Sequence, residues 1–324
     1  MNINISKINY AGGGSSGGGG ASGGEFTFDL ASIGWDDNDM NAYIKRVEED
    51  IEYTKENPKT AYNASHFVFG KKQFSTYETN KFSGAYKLTY IPYIDISNLT
   101  TLHNMFSQCY ALQMINGIER WDTSNITSLE NIFNECNSLE HIDISNWNIS
   151  NVTAINNLFN GCKSISSTLN LSKWDTSKVI GMRNAFNGLY SISEINLSGW
   201  DFSNVDCSVT LRNGLNAMFA NLLSRPTINL SNCKMDKLSS MGNMFDSYSN
   251  NVIFDGVVLP KINLEDWGLN KATLSLTTLT GVLNALPDLT NDGVSYTCKL
   301  GATNLNQLTD EQKLIATNKG WILS

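Results

Sequence analysis

The chain has 324 residues, 31 acidic and 23 basic side chains, a net charge of -8 and a pI near 4.9. An acidic chain with no cluster of Lys or Arg among aromatics repels phosphate backbones, so no nucleic-acid partner is expected. No apolar run approaches the roughly 18 residues of a membrane span, and MNINISKINYAGGG lacks the apolar core of a signal peptide.

The opening NINISKINY alternates apolar and polar residues through Ile3 and Ile5, then changes phase to Ile8 and Tyr10. This predicts a short strand with a break near Lys7. Residues 12–24, GGGSSGGGGASGG, read as a flexible tether with a free span of roughly 20 Å. A free tail is the plain reading of residues 1–11; a docking strand carried on a tether is the sharper one. Its candidate docking residues are Ile3, Ile5, Ile8 and Tyr10. Residues 25–93 follow as an N-terminal cap. Met40, Ile44, Val47 and Ile51 are spaced for one helix face, Asp37, Asn38 or Asp39 can cap that helix, and Pro58 ends it. Phe67–Phe69 and Tyr86–Ile91 read as strands.

From residue 94 to 262 the chain repeats itself. Trp121, Trp147, Trp174 and Trp200 step by 26, 27 and 26 residues, and Phe106, Phe133, Phe159 and Phe186 step by 27, 26 and 27. Ile94 and Cys233 occupy the same slot as the tryptophans at either end. Such a period means stacked units that bury their apolar faces only against neighbours. In residues 124–147, Leu129, Ile132, Phe133 and Cys136 fall at i, i+3, i+4 and i+7, which predicts a short helix. Leu139, Ile142 and Ile144 then match the LxxLxL strand of a leucine-rich repeat. A seven-residue insertion after Val205 lengthens one step to 33 before Phe219, and Phe245 resumes at 26. The expected fold is therefore α/β: a leucine-rich-repeat solenoid with one short strand and one short helix per 26–27-residue repeat, closed by α/β caps.

Cys109, Cys136 and Cys162 each lie three residues after a repeated Phe, in a slot that also holds Leu189, Leu222 and Tyr248. That pattern marks buried, reduced thiols acting as small hydrophobes. No CxxC pair occurs, so no metal site is expected. Residues 263–324 leave the period and form the C-terminal cap. Leu276–Leu286 reads as a helix closed by Pro287, and Tyr296–Leu300 as a strand. Thr309 with Gln312 forms a capping box opening a last helix that Gly320 ends.

No catalytic pattern emerges. His66, His103 and His141 lie in no ligand motif, neither GxSxG nor GxxxxGK[ST] occurs, and Glu48-Glu49-Asp50 reads as a solvated helix face. No enzyme activity and no cofactor are expected, and a glycan hydrolase is the weakest of the function classes. Binding remains. Residues outside the core slots of the strands, Gln113, Asn116, Glu140, Asp143, Asn170, Glu194 and Asn196, are the candidate binding row for carbohydrate hydroxyls or a protein. The alternative is that they only solubilise the strand face. The insertion at 206–215 is a second candidate contact.

Across Trp121–Leu197, and more loosely from 94 to 262, the chain resembles the BspA-like bacterial surface leucine-rich repeat, W-D-T-S-N-V-T-x-M-x-x-M-F-x-x-C-x-S-L-x-x-L-D-L-S. Residues 300–321, LGATNLNQLTDEQKLIATNKGW, look like the C-terminal cap of repeat proteins in phages of gut bacteria. The strand and Gly-rich run are similar to virion-attachment segments of phage fibres. The resemblance implies a non-enzymatic virion protein, a tail-fibre, head-fibre or receptor-binding component. Its N-terminus would hold other virion proteins, and its repeats would meet a host-surface glycan or protein. It further implies a particle-surface location and, by analogy with fibres, a homotrimer. The alternative is an adhesin on the bacterial cell surface.

Overall fold

A computed structural model describes residues 82–91, 96–115, 117–207, 214–246, 248–249 and 251–324, and the backbone of 9–10 and 27–28. The predicted helix over 40–51, the strand at 67–69, Ile3, Ile5, Ile8, most of the tether and most of the insertion lie outside these residues. The architecture is mixed α/β, with parallel strands throughout and few helices. β1 (Asn9–Tyr10) pairs with β2 (Thr27–Phe28), so the candidate docking residue Tyr10 sits in a strand already paired within the chain. β3 (Tyr90–Ile91) pairs with β4 (Met114–Ile115). β5 (Leu169–Asn170), β6 (Glu194–Asn196), β7 (Thr227–Asn229) and β8 (Asn251–Ile253) form a four-stranded parallel sheet in chain order.

Side-chain columns run through the stack because each repeat returns the same residue to the same place. The rings of Phe82, Phe106, Phe133, Phe159, Phe186, Phe219 and Phe245 form one row, successive centroids 5.4–6.3 Å apart. The row thus reaches back to Phe82, ahead of residue 94. All seven are buried, and each removes enough apolar area from water to contribute ~2–3 kcal/mol. Trp121 stacks on Trp147 at 5.8 Å and Trp174 on Trp200 at 6.0 Å. Their burial shows them to be core residues at a turn.

The segments around the Phe row are not helices, contrary to the expectation from their spacing. In an α-helix each N–H turns back to the carbonyl four residues before it. Here Leu129, Asn131, Phe133 and Glu135 donate outward to Ala154, Asn156, Leu158 and Asn160 of the next repeat, at 2.6–3.2 Å. Ile132, Asn134 and Cys136 donate locally, three residues back. Two left-handed residues per repeat make this alternation: Asn104, Asn131, Asn157 and Asn184 in one column, and Gln108, Glu135, Gly161 and Gly188 in the other. Asn tolerates that conformation better than most residues, which accounts for its use in the first column. Asn157 donates to Asn131 and Asn184 to Asn157 at 2.8 and 2.9 Å, forming an amide ladder. Across residues 94–262 the described residues contain one helical segment, the 3-10 turn Ile118–Arg120.

The thiols follow the same logic. Cys109, Cys136 and Cys162 donate to the carbonyls of Phe82, Phe106 and Phe133 at 3.0–3.1 Å. The slot is therefore more than apolar filler: it supplies a weak donor to the preceding repeat, a task Ser249 performs for Phe219. Burial pushes the thiols of Cys109, Cys233 and Cys298 up to about 12, and it raises those of Cys136 and Cys162 as well. All six cysteines are unpaired with one another.

The C-terminal unit closes the stack. α1 (Leu276–Ala285) begins at Ser275, whose hydroxyl accepts from the Thr278 N–H. α2 (Ala302–Leu305) is a single turn, and α3 (Asp310–Thr317) opens with the expected Thr309–Gln312 capping box, both bonds formed. β9 (Thr297–Cys298) pairs with β10 (Ile322–Leu323). Lys319 donates to the carbonyls of Leu283, Asn284 and Leu286, where the α1 dipole is negative.

Candidate functional site

The strand face carries the candidate row, and three of its seven side chains, Asp143, Asn170 and Asn196, are committed to shaping the turn before a tryptophan or its slot. Asp143 accepts from the Ser145 N–H at 3.0 Å, Asn170 from the Ser172 N–H at 3.3 Å and hydroxyl at 2.8 Å, and Asn196 from the Ser198 N–H at 3.1 Å. Asn229 repeats the contact with Ser231. A short acceptor two residues before a free N–H closes an Asx turn. The same device recurs just after the tryptophan slot, where Ser124 holds Asp122 and Ser177 holds Asp175; in both cases the Ser hydroxyl and N–H lower the carboxyl below its usual range. Glu194 is half-buried in β6. Gln113 and Glu140 are exposed, and Asn116 lies outside the described residues.

Among the described residues of the repeats, the parallel ladder is interrupted between β4 and β5. β4 and β5 flank the segment Glu140–Ile144, which belongs to neither sheet. The stretch from Phe to Trp has 14 residues in Phe133–Trp147 but 15 in both neighbours, Phe106–Trp121 and Phe159–Trp174. The interruption leaves a gap on the strand side, while the Phe rings beneath stay stacked at 5.4 Å. Arc length alone does not cause it, because Phe186–Trp200 is equally short and β6 within it pairs with both neighbours. The gap is a cleft of about 580 Å³, a size typical of ligand pockets. Its lining includes Met114 and Glu119 from one repeat, His141 and Asp143 from the next, and Thr168, Asn170 and Lys173 from the third.

The cleft thus brings two of the candidate residues together, Asp143 and Asn170. It leaves out Gln113, Glu140, Glu194 and Asn196. It adds His141, Thr168, Lys173 and Glu119, which residue-by-residue reading missed. No spacing in the sequence marks it, because the Phe-to-Trp distance falls to 14 again at Phe186–Trp200, where the ladder is intact. Lys173 donates to Asn146 at 3.1 Å, so its ammonium is tied to the neighbouring turn. Among the described residues, no group of three or more His, Cys, Asp or Glu is placed to hold a metal ion, and no helix is long and apolar enough to cross a membrane.

No curated protein matches this chain. A family model described as "Mycoplasma protein of unknown function, DUF285" matches residues 76–200 and again 165–255. The match covers the aromatic rows, both turn columns and the cleft, and in outline it fits a BspA-like repeat protein. Together the two matches take in more than half of the residues, and the chain belongs to the DUF285 family.

Proposed function

We propose that this chain is a non-enzymatic adhesion protein: a BspA-like leucine-rich-repeat solenoid in a bacteriophage virion, as a tail-fibre, head-fibre or receptor-binding component. The observation that carries the adhesion reading is the cleft on an otherwise regular strand face. Five of the six thiols and the described tryptophans are buried, and polar side chains from three repeats meet at the cleft. The alternating apolar sequence NINISKINY followed by the Gly/Ser run supports attachment at the N-terminus, leaving the repeats free to meet a host-surface molecule. Deleting residues 1–24 tests attachment. The repeats should remain folded while the protein disappears from purified particles; retention on particles would sink the attachment reading.

A cell-surface adhesin is the second reading, favoured by a family description that names a cellular organism. Immunodetection on fractionated cells and particles separates the two.

A further inference from the structure

We propose that the cleft over Glu140–Ile144 receives an extended peptide segment of a partner protein, bound chiefly through its main chain. This deepens, and rests on, the reading of the strand face as a recognition surface. Within the described residues, the backbone N–H groups of Glu140, His141, Ile142, Asp143 and Ile144 donate to nothing, and the carbonyls of Leu139 through Asp143 accept nothing. One repeat further on, by contrast, β5 pairs residue by residue with β6. A row of unpaired donors and acceptors between two sheet edges is the template for strand addition.

The side chains argue for the same occupant. Asp143 and Asn170 each give an oxygen to their turns and Lys173 donates to Asn146, which leaves fewer fixed side-chain partners for a sugar than main-chain groups for a peptide. The lining offers no Trp, Tyr or Phe on which a sugar ring could stack. Met114, which is 50 % exposed, and half-buried Ile142 offer apolar surface to every second side chain of an added strand. Two carboxylates, Glu119 and Asp143, face one ammonium, Lys173, on the rim, which suits a segment that is neutral to weakly basic.

The test uses the full chain and a phage-displayed library of random octapeptides, followed by synthetic copies of the enriched sequences. Hydrogen exchange on the free protein should show fast amides at 140–144. Added peptide should slow them, and methylating alternate peptide nitrogens should weaken binding by about tenfold or more, because each methyl removes a donor. His141→Pro, which deletes one cleft donor, and Thr168→Trp, which fills the cleft from an exposed position, should each abolish binding. If His141→Pro fails to fold, Thr168→Trp carries the test alone. Methylated peptides that bind equally well would overturn the proposal. So would a selection yielding no peptide dependent on these residues, or saccharides that protect the same amides in place of peptides. The selection needs neither particles nor host cells. Its failure alongside intact host binding removes the peptide alone; loss of host binding removes the adhesion reading itself.

Discussion

The indole N–H of Trp200 donates to the carbonyl of Leu171 at 2.8 Å, tying one repeat to the one before it. Trp174 and Trp147 make the same bond to Ile144 and Ile118. Where the slot holds Cys233 instead, its thiol reaches the Leu197 carbonyl at 3.2 Å. The column therefore selects for a buried donor as well as for bulk. Trp200→Phe keeps most of the volume and loses the donor, and should lower stability by ~1 kcal/mol, because the Leu171 carbonyl retains the Trp174 N–H. Trp200→Ala should cost ~3–5 kcal/mol by opening a cavity. Urea unfolding measures both, and a Phe variant as stable as the parent would remove the indole bond from the account.

The left-handed columns predict opposite outcomes for opposite substitutions. Gln108 is exposed and held at φ +62°, a conformation costing a side-chain-bearing residue ~1–2 kcal/mol that glycine avoids. Allowing for the greater freedom of glycine in the unfolded chain, Gln108→Gly should stabilise by about 0.5–1 kcal/mol. Gly188→Ala should destabilise, since a Cβ at φ +76° would also sit 3.2 Å from the Gly161 nitrogen. Thermal melts with opposite shifts are expected; a destabilised Gln108→Gly would contradict the strain argument.

Thiol burial sets an alkaline limit. The folded values lie above the ordinary 9.0, at about 12 for Cys109, Cys233 and Cys298. Their contribution is therefore complete below pH 9 and is lost as pH rises towards 12, because only the unfolded chain ionises in that window. Each such thiol makes stability fall by up to ~1.4 kcal/mol per pH unit there. Cys298→Ala should flatten the decline measured by urea unfolding between pH 8 and pH 10.5. An equal slope in parent and variant would contradict thiol linkage.

Asp143 shapes the cleft by capping its own turn. Asp143→Asn keeps the acceptor and should leave stability within about 0.5 kcal/mol, whereas Asp143→Ala frees the Ser145 N–H and should cost ~1 kcal/mol. Chemical denaturation of the two variants separates them. Equal stability would mean that the carboxylate is not held for the turn.

Much of the fold was legible because periodic stacking writes itself into spacing. Trp and Phe at 26–27 residues encode the repeat, and Thr309 with Gln312 encodes a local cap that needs only neighbouring backbone. The helix expected around Phe133 was not legible. Apolar residues at i, i+3, i+4 and i+7 satisfy a helix and also a ribbon of turns punctuated by Asn131 and Glu135. The choice depends on whether each N–H finds its acceptor within the segment or in the next repeat, and that acceptor is 25 or so residues away.

The candidate site divides in the same manner. Sequence alone determined that the strand positions carry polar groups, because alternation of inward and outward residues needs no tertiary information. Only the stacking decided that Asp143 and Asn170 share a cleft while Glu194 lies within an intact ladder. The cavity exists only when three successive repeats are laid side by side, because Met114, His141 and Thr168 line it from positions 27 residues apart in the chain.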